Sequence, residues 1–268
     1  MRIVICVKQV PGAADIEIDK VTKRLVREGV KSVLNPHDCY AMEVALQLKE
    51  QLGASITVLT MGPPQARAVL KQCYALGADE GYLLNDMDFA GSDTFSTAYI
   101  LAAAIRKIEA ESGPFDLVLC GRRSSDGDTA QVGAELAEQL DIAQITAVCQ
   151  MPEIRDDRVT ALVDRDSYKA YVEARLPALL TIGQTPDELR YATISGVIAA
   201  NHTDRIKSFT HAELPEILQE KIGLDGSPTR TVDTYVPERK ATVTMIEGFD
   251  SREKVINLIG YLKKANIM

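Results

Sequence analysis

The chain of 268 residues has no tryptophan, three histidines (His37, His202, His211) and five cysteines (Cys6, Cys39, Cys73, Cys120, Cys149). It contains neither an HExxH nor a CxxC pattern, so zinc hydrolysis and zinc-ribbon chemistry have no ligands to stand on, and no metal site is expected. At least three cysteines sit inside apolar runs, where a reduced thiol packs as a small hydrophobe; this suits a reducing cytoplasm. No run approaches the roughly 18 apolar residues of a membrane span, and Met1–Lys8 is too short and too soon interrupted for a signal peptide. A cytoplasmic chain without membrane insertion is therefore expected. Both GxGxxG and the P-loop pattern are missing. No carboxylate pair has acid/base spacing and no nucleophile sits in an elbow, so no catalytic residue is assigned. Lys and Arg number 30 against 38 Asp and Glu, a net charge of −8 that disfavours nucleic acid as a partner.

Hydrophobic residues make up 46% of the chain and charged ones 25%, the balance of a folded globular protein. Apolar runs of strand length recur at Ile3–Val7, Ser55–Met61, Gly81–Leu84, Phe115–Cys120 and Ile145–Cys149, separated by segments of helical period. Asn35-Pro36 opens the first helix, with Ala41, Val44, Ala45, Leu48 and Leu52 on one face. Met61-Gly62-Pro63-Pro64 leads into a helix ending near Gly77. Ser92 or Asp93 caps another, and Thr129 begins a fourth carrying Val132, Leu136 and Leu140. The alternation predicts an α/β fold with a doubly wound, mostly parallel, Rossmann-like sheet. Inserted hairpins are expected at Ile16–Arg27, around Lys20–Lys23, and at Arg158–Val163 with Tyr168–Leu176. Residues 1–190 are expected to form the nucleotide-binding domain. Over residues 191–268 the pattern is expected to loosen into Tyr191–Arg205 and then a long arm through Pro215, Gly226, Pro228 and Pro237, closed by a helix with a capping box at Asp250-x-x-Glu253 and a stripe of Val255, Leu258, Ile259 and Leu262. From pattern alone, the arm packs either on another chain or on its own domain.

The segment Gly121 to Gly133 follows one expected strand and opens a helix. Such a turn offers free backbone N–H groups and the positive end of the helix dipole to an anion, and phosphate is the natural guest. Arg122 and Arg123 supply charge there, and Ser124, Ser125 and Thr129 supply hydroxyls. The competing account is a solvent loop with Asp126 or Asp128 as the helix N-cap. Asn35-Pro36 and Met61-Gly62-Pro63, expected to follow strands of the same sheet, would face the same crevice, which favours an adenine-nucleotide pocket.

These residues resemble the small (β) subunit of electron-transfer flavoproteins along nearly the whole chain. The resemblance runs through Val7-Lys8-Gln9-Val10-Pro11, Asn35-Pro36-His37-Asp38, Met61-Gly62-Pro63, Ala75-Leu76-Gly77-Ala78-Asp79, Asp116–Gly121 with Asp126–Gln131, Leu176–Thr181 and Arg190-Tyr191-Ala192-Thr193. It implies a subunit that binds a nucleotide and, with a larger flavin-carrying α subunit, relays electrons to or from a flavin-dependent dehydrogenase. Carried over by motif, the cofactor contacts are Cys6, Asn35, Pro36, His37, Asp38, Met61, Gly121, Arg122, Arg123, Ser124, Ser125, Asp126, Gly127, Asp128, Thr129, Ala130, Gln131 and Val132. Ile194 matches the apolar anchor for the dehydrogenase. Respiratory members that hold AMP tend to read Asp-Asp-Asp-x-Asn-Gln at Asp126–Gln131. The Asp-Gly-Asp-Thr-Ala-Gln-Val-Gly of this chain resembles members that hold a second FAD and bifurcate the electrons of NADH or NADPH, sending one to ferredoxin or flavodoxin. Ala199–Thr203 lacks the lysine cluster of mitochondrial-type members. The alternatives are an AMP-holding simple carrier and, outside the family, a stand-alone adenine-nucleotide signalling module.

Overall fold

Alternation within the first strand sets the architecture. In β1 (Arg2–Cys6), Ile3 and Ile5 join one hydrophobic core while Val4 and Cys6 join a second, because successive side chains of a strand leave opposite faces. A strand buried on both sides needs helices on both sides. The computed structural model supplies them, and describes residues 1–12, 17–18, 25–26, 32–165, 167–202, 205–232 and 243–267.

After β1 come the short strands β2 (Gln9–Pro11), β3 (Glu17–Ile18), β4 (Leu25–Val26) and β5 (Ser32–Leu34), in which β2 pairs with β5 and β3 with β4. The hairpin expected at Ile16–Arg27 is present in its paired strands; Ile16, Lys20–Lys23 and Arg27 lie outside the described residues. Contrary to expectation, Asn35-Pro36 follows β5, which belongs to this side ribbon and not to the main sheet. The chain continues through α1 (Pro36–Leu52), β6 (Ser55–Met61), α2 (Arg67–Leu76), β7 (Glu80–Leu84), α3 (Thr94–Ser112), β8 (Leu117–Gly121), α4 (Val132–Leu140) and β9 (Ala143–Val148). Then follow β10 (Glu153–Arg155), β11 (Arg158–Arg165), β12 (Tyr168–Arg175), β13 (Ala178–Ile182), α5 (Ile194–Asn201), β14 (Ile206–Phe209), the single turn α6 (Gly223–Gly226) and α7 (Ser251–Lys264).

Among the described residues the main sheet has ten strands, ordered β10-β11-β9-β13-β8-β1-β6-β7-β14, with β12 on β11. From β9 to β14 all neighbours run parallel, and the β11–β12 hairpin extends the sheet antiparallel. Side chains from α1 and α2 fill one core, and those from α3 and α4 fill the other. This is the doubly wound α/β fold. Two strands escape the periodicity: β13, buried on both faces between β8 and β9, and β14 at the sheet edge. Residues 194–201, read as part of a recognition loop, form α5.

The chain divides into two units, Met1–Val232 and Asp233–Met268. In the second, Asp250 caps α7 by accepting from the Glu253 N–H at 2.8 Å, and the Glu253 carboxylate reaches back to the Phe249 N–H, one residue earlier than a capping box requires. No residue of α7 is buried. Pro237 lies outside the described residues.

Arg190 fixes the segment after β13 to α1. Its guanidinium grips the buried Glu43 carboxylate at 2.7 and 3.0 Å and also reaches Glu50. Burial alone would raise the Glu43 carboxyl, but Arg190 and the Gln47 amide outweigh it and hold it below its ordinary value. A depressed carboxyl contributes stability that is present above the unfolded value, about 4.3, and is lost as pH falls through the folded one. Arg190→Met strands Glu43 and should lower the unfolding free energy by about 2–3 kcal/mol at neutral pH. That deficit should shrink at about pH 4, where Glu43 of the variant becomes neutral. Urea denaturation at both pH values checks this; an equal deficit at both would show that the ion pair is not its source.

Candidate functional site

From β1 the next main-sheet strand is β6 on one side, whereas β8 on the other side continues to β13 and β9. Between strands whose connections depart in opposite directions a crevice opens at the carboxyl ends. A cleft of about 670 Å³ lies there, lined by Cys6–Pro11, the turn Met61–Ala66, residues 84–94, and much of Gly121–Gly133.

One buried side chain joins the two loops over β1 and β8. Asn35 stands at the N-cap position of α1 but makes no capping bond with its side chain. Its Nδ2 donates to Asp38 Oδ1 and to the Arg123 carbonyl, both at 2.9 Å, and its Oδ1 accepts from the Ser125 N–H at 3.1 Å. Asp38 Oδ2 accepts from the Lys8 N–H at 2.6 Å. Burial pushes the Asp38 carboxyl up to about 7, against the donors Asn35, Lys8 and Gly121, which favour its ionised form. At Gly121 the backbones nearly touch: a Cβ there would lie 2.2 Å from Asp38 Oδ1 and 2.8 Å from its nitrogen.

Beyond Gly121 the chain does not become helical at Thr129. Asp128 and Ala130 both have left-handed φ, 54° and 56°, so α4 starts at Val132. Neither Asp126 nor Asp128 is its cap; Gln131 holds that position without a side-chain bond. Among the described residues, the N–H groups of Thr129 to Gly133 have no protein acceptor, and all five residues, in the irregular turn or the first helical turn, line the cleft. Left- and right-handed residues in alternation make such N–H groups converge, and the α4 dipole adds positive potential.

The cations near this row are mostly engaged. Lys8 Nζ lies 2.8 Å from Asp126 Oδ1, and Arg123 pairs with Asp128 at 3.0 Å while donating to His37 Nε2 at 3.2 Å. Burial, with the charges of Arg123 and Arg122, holds His37 below its ordinary pKa, so it is neutral, and its Nδ1 is sealed without a partner. Arg122 lines the cleft and has no charged partner among the described residues.

The opposite wall, residues 85–94, is held from behind by a distant segment. His211 donates to Asp88 Oδ2 at 2.8 Å and approaches the Ile217 carbonyl at 3.3 Å through its two ring nitrogens, while its N–H meets Asp86. Asp88 is the main cause that raises the His211 pKa. Ser92 accepts from the Gly223 N–H, Ser227 from the Asp93 N–H, and Asp93 from the Thr229 N–H. This bracing has no local signal in the sequence, because the partners from His211, Gly223, Ser227 and Thr229 are each more than 120 residues away.

Of the residues singled out from sequence, Cys6, Asn35, Asp38, Met61, Gly121, Arg122, Arg123, Ser124, Asp126, Gly127, Thr129, Ala130, Gln131 and Val132 line the cleft. Pro36, His37, Ser125 and Asp128 stand behind it, in α1 or in the bonds just described. Lys8 and the 85–94 wall were missed. Apart from the cleft, Ile194 is 83% exposed at the first turn of α5, beside exposed Tyr191, Val197 and Ile198. Thr193 caps that helix, and Gly196 brings it against α2, where a Cβ would lie 2.2 Å from the Ala75 carbonyl oxygen.

Fold and cleft define a doubly wound α/β protein with a site at its topological switch point. The model of the electron transfer flavoprotein domain matches residues 22–211. Over its full length the chain is 41% identical to an electron transfer flavoprotein subunit beta of Thermoanaerobacterium thermosaccharolyticum, and 40% identical to the caffeyl-CoA reductase-Etf complex subunit CarD of Acetobacterium woodii, covering all of each. A subunit beta of Megasphaera elsdenii is 39% identical over 96% of this chain and 95% of its own. The chain belongs to the electron-transfer flavoprotein family, as a small (β) subunit.

Asn35→Ala strips a donor from Asp38 and leaves the Ser125 N–H and Arg123 carbonyl unpaired. A loss of about 2–3 kcal/mol in stability is expected. Asn35→Asp should not restore it, since it returns no donor and sets a second carboxylate against Asp38. Thermal melts of both variants check this; wild-type stability in Asn35→Asp would refute the joint.

Proposed function

We propose that this chain holds FAD in the cleft and works in the cytoplasm beside a larger, flavin-carrying α subunit. In this reading the pair moves electrons between NADH or NADPH, ferredoxin or flavodoxin, and a flavin-dependent dehydrogenase by flavin-based electron bifurcation. The observation that carries the nucleotide is the row of acceptor-free N–H groups from Thr129 to Gly133 in the lining of a cleft of about 670 Å³. That donor set fits a pyrophosphate, and the same cleft is lined by Asn35 and Met61, whose loops would hold the adenosine. Support for a second flavin comes from Asp126-Gly127-Asp128-Thr129-Ala130-Gln131-Val132-Gly133 and from the likeness to CarD, a subunit of a reductase-Etf complex.

When bound, FAD would supply the redox chemistry; the protein binds and orients it. Arg123 is committed to Asp128 and His37, which leaves Arg122 as the guanidinium available to favour an anionic flavin. Within residues 191–268, two exposed elements are assigned to partners. Ile194, projecting from a helix anchored by Gly196, is the apolar anchor for the dehydrogenase, and the stripe Val255, Leu258, Ile259 and Leu262 of α7 packs on the α subunit.

The test is the nucleotide inventory of the denatured heterodimer, followed by anaerobic reduction. Two FAD per heterodimer and bleaching by NADH or NADPH are expected. One FAD with one AMP, and no reduction by either dinucleotide, would leave a simple carrier. Thr129→Val and Gly127→Pro should each weaken nucleotide retention by roughly 1–3 kcal/mol; unchanged retention in both removes the phosphate from this turn. Ile194→Ala should slow electron delivery to the dehydrogenase by about 2 kcal/mol of docking energy, with flavin content intact. Lost flavin or normal delivery would show that Ile194 is not the anchor.

A further inference from the structure

Three donors converge on one carboxylate inside the cleft. Asp126 Oδ1 accepts from Lys8 Nζ at 2.8 Å and from the Gly127 N–H at 2.9 Å, and the Ser124 hydroxyl supports the same group. Lys8, Ser124, Asp126 and Gly127 all line the cleft. An ammonium, a backbone N–H and a hydroxyl together are what a phosphate oxygen requires. Here they are taken by the protein's own anion. The stem of Lys8 is fixed at both backbone atoms, its N–H on Asp38 and its carbonyl accepting from the Asn35 N–H at 2.9 Å. Only the flexible side chain is left to change partners.

We infer that Lys8 is a phosphate-positioning residue of the cleft and that Asp126 is an internal stand-in for the ligand's anion, displaced when a nucleotide phosphate arrives. This rests on the nucleotide reading of the cleft. The displacement follows from electrostatics: a phosphate drawn to the nearby N–H row comes up against the Asp126 carboxylate, and like charges at such range repel unless one moves. Lys8 then exchanges one anion for another and stays paired. The cleft is thereby selective against uncharged ligands, since only an anion compensates Lys8 for the loss of Asp126. The device also keeps the Lys8 ammonium paired while the cleft is free of ligand.

Calorimetric titration of the full chain with adenosine, AMP and FAD tests this. Lys8→Met should weaken AMP and FAD about 10-fold and leave adenosine unchanged. Asp126→Asn, which keeps the shape and removes the competing charge, should tighten AMP and FAD about 5-fold. In the double variant that gain should vanish, because the cation that Asp126 guards is absent. Lys8→Gln is the second variant should Lys8→Met melt early. If the wild type binds AMP or FAD but Lys8→Met and Lys8→Gln bind them as well as it does, or if Asp126→Asn binds them more weakly, the inference is overturned and the nucleotide reading stands. If the wild type binds neither AMP nor FAD, the nucleotide reading is overturned, and the inference with it.

Discussion

The close approach of Gly121 to the start of α1 is the constraint on which the site depends. With hydrogen in place of a Cβ, the end of β8 comes near enough to α1 for Asn35 to bond the Arg123 carbonyl and the Ser125 N–H across the gap. Those bonds determine how the chain leaves β8. The departure in turn sets where Asp128 and Ala130 turn left-handed and where α4 begins. A single side-chain atom at position 121 would push the loops apart and scatter the N–H groups that the cleft presents.

The cleft of this acidic protein presents donors of the kind that suit an anion. Attraction here is local and largely uncharged: backbone N–H groups and a helix dipole, with two cations nearby already paired to Asp126 and Asp128. Such a site keeps little long-range positive field. A small ligand that enters the cleft meets donors at contact distance, where dipoles act most strongly.

Much of the fold was legible because its strands and helices carry local patterns. Ser55–Met61 is a strand with the bounds its sequence suggests, and Asp93 is one of the two caps considered for α3. The failures share a cause. β13 follows the hairpin strand β12 after only Leu176 and Pro177, so its apolar run reads as the tail of the hairpin. β14, with sequence Ile-Lys-Ser-Phe, buries only its two ends. Asn35 looks like an ordinary helix cap because the groups it binds are 88 and 90 residues away. Lys8 looks like a surface lysine for the same reason. Sequence pattern reports burial along one element; it is silent on bonds between elements that the topology brings together.

The segment from His211 to Thr229 has a consequence for how the molecule is made. It reaches back as far as Asp93, 136 positions earlier, to brace one wall of the cleft. During synthesis the amino-terminal strands and helices emerge first and begin to pack, but the bracing of this wall starts with His211 and is complete only when residue 229 has left the ribosome. The other side of the cleft, built on Asn35 and Gly121–Gly133, leans on β13, which pairs with β8, and can form before residue 211 emerges. A nascent chain thus carries a half-built site that exposes its donors before it can enclose anything, and completion of the cleft coincides with completion of most of the chain.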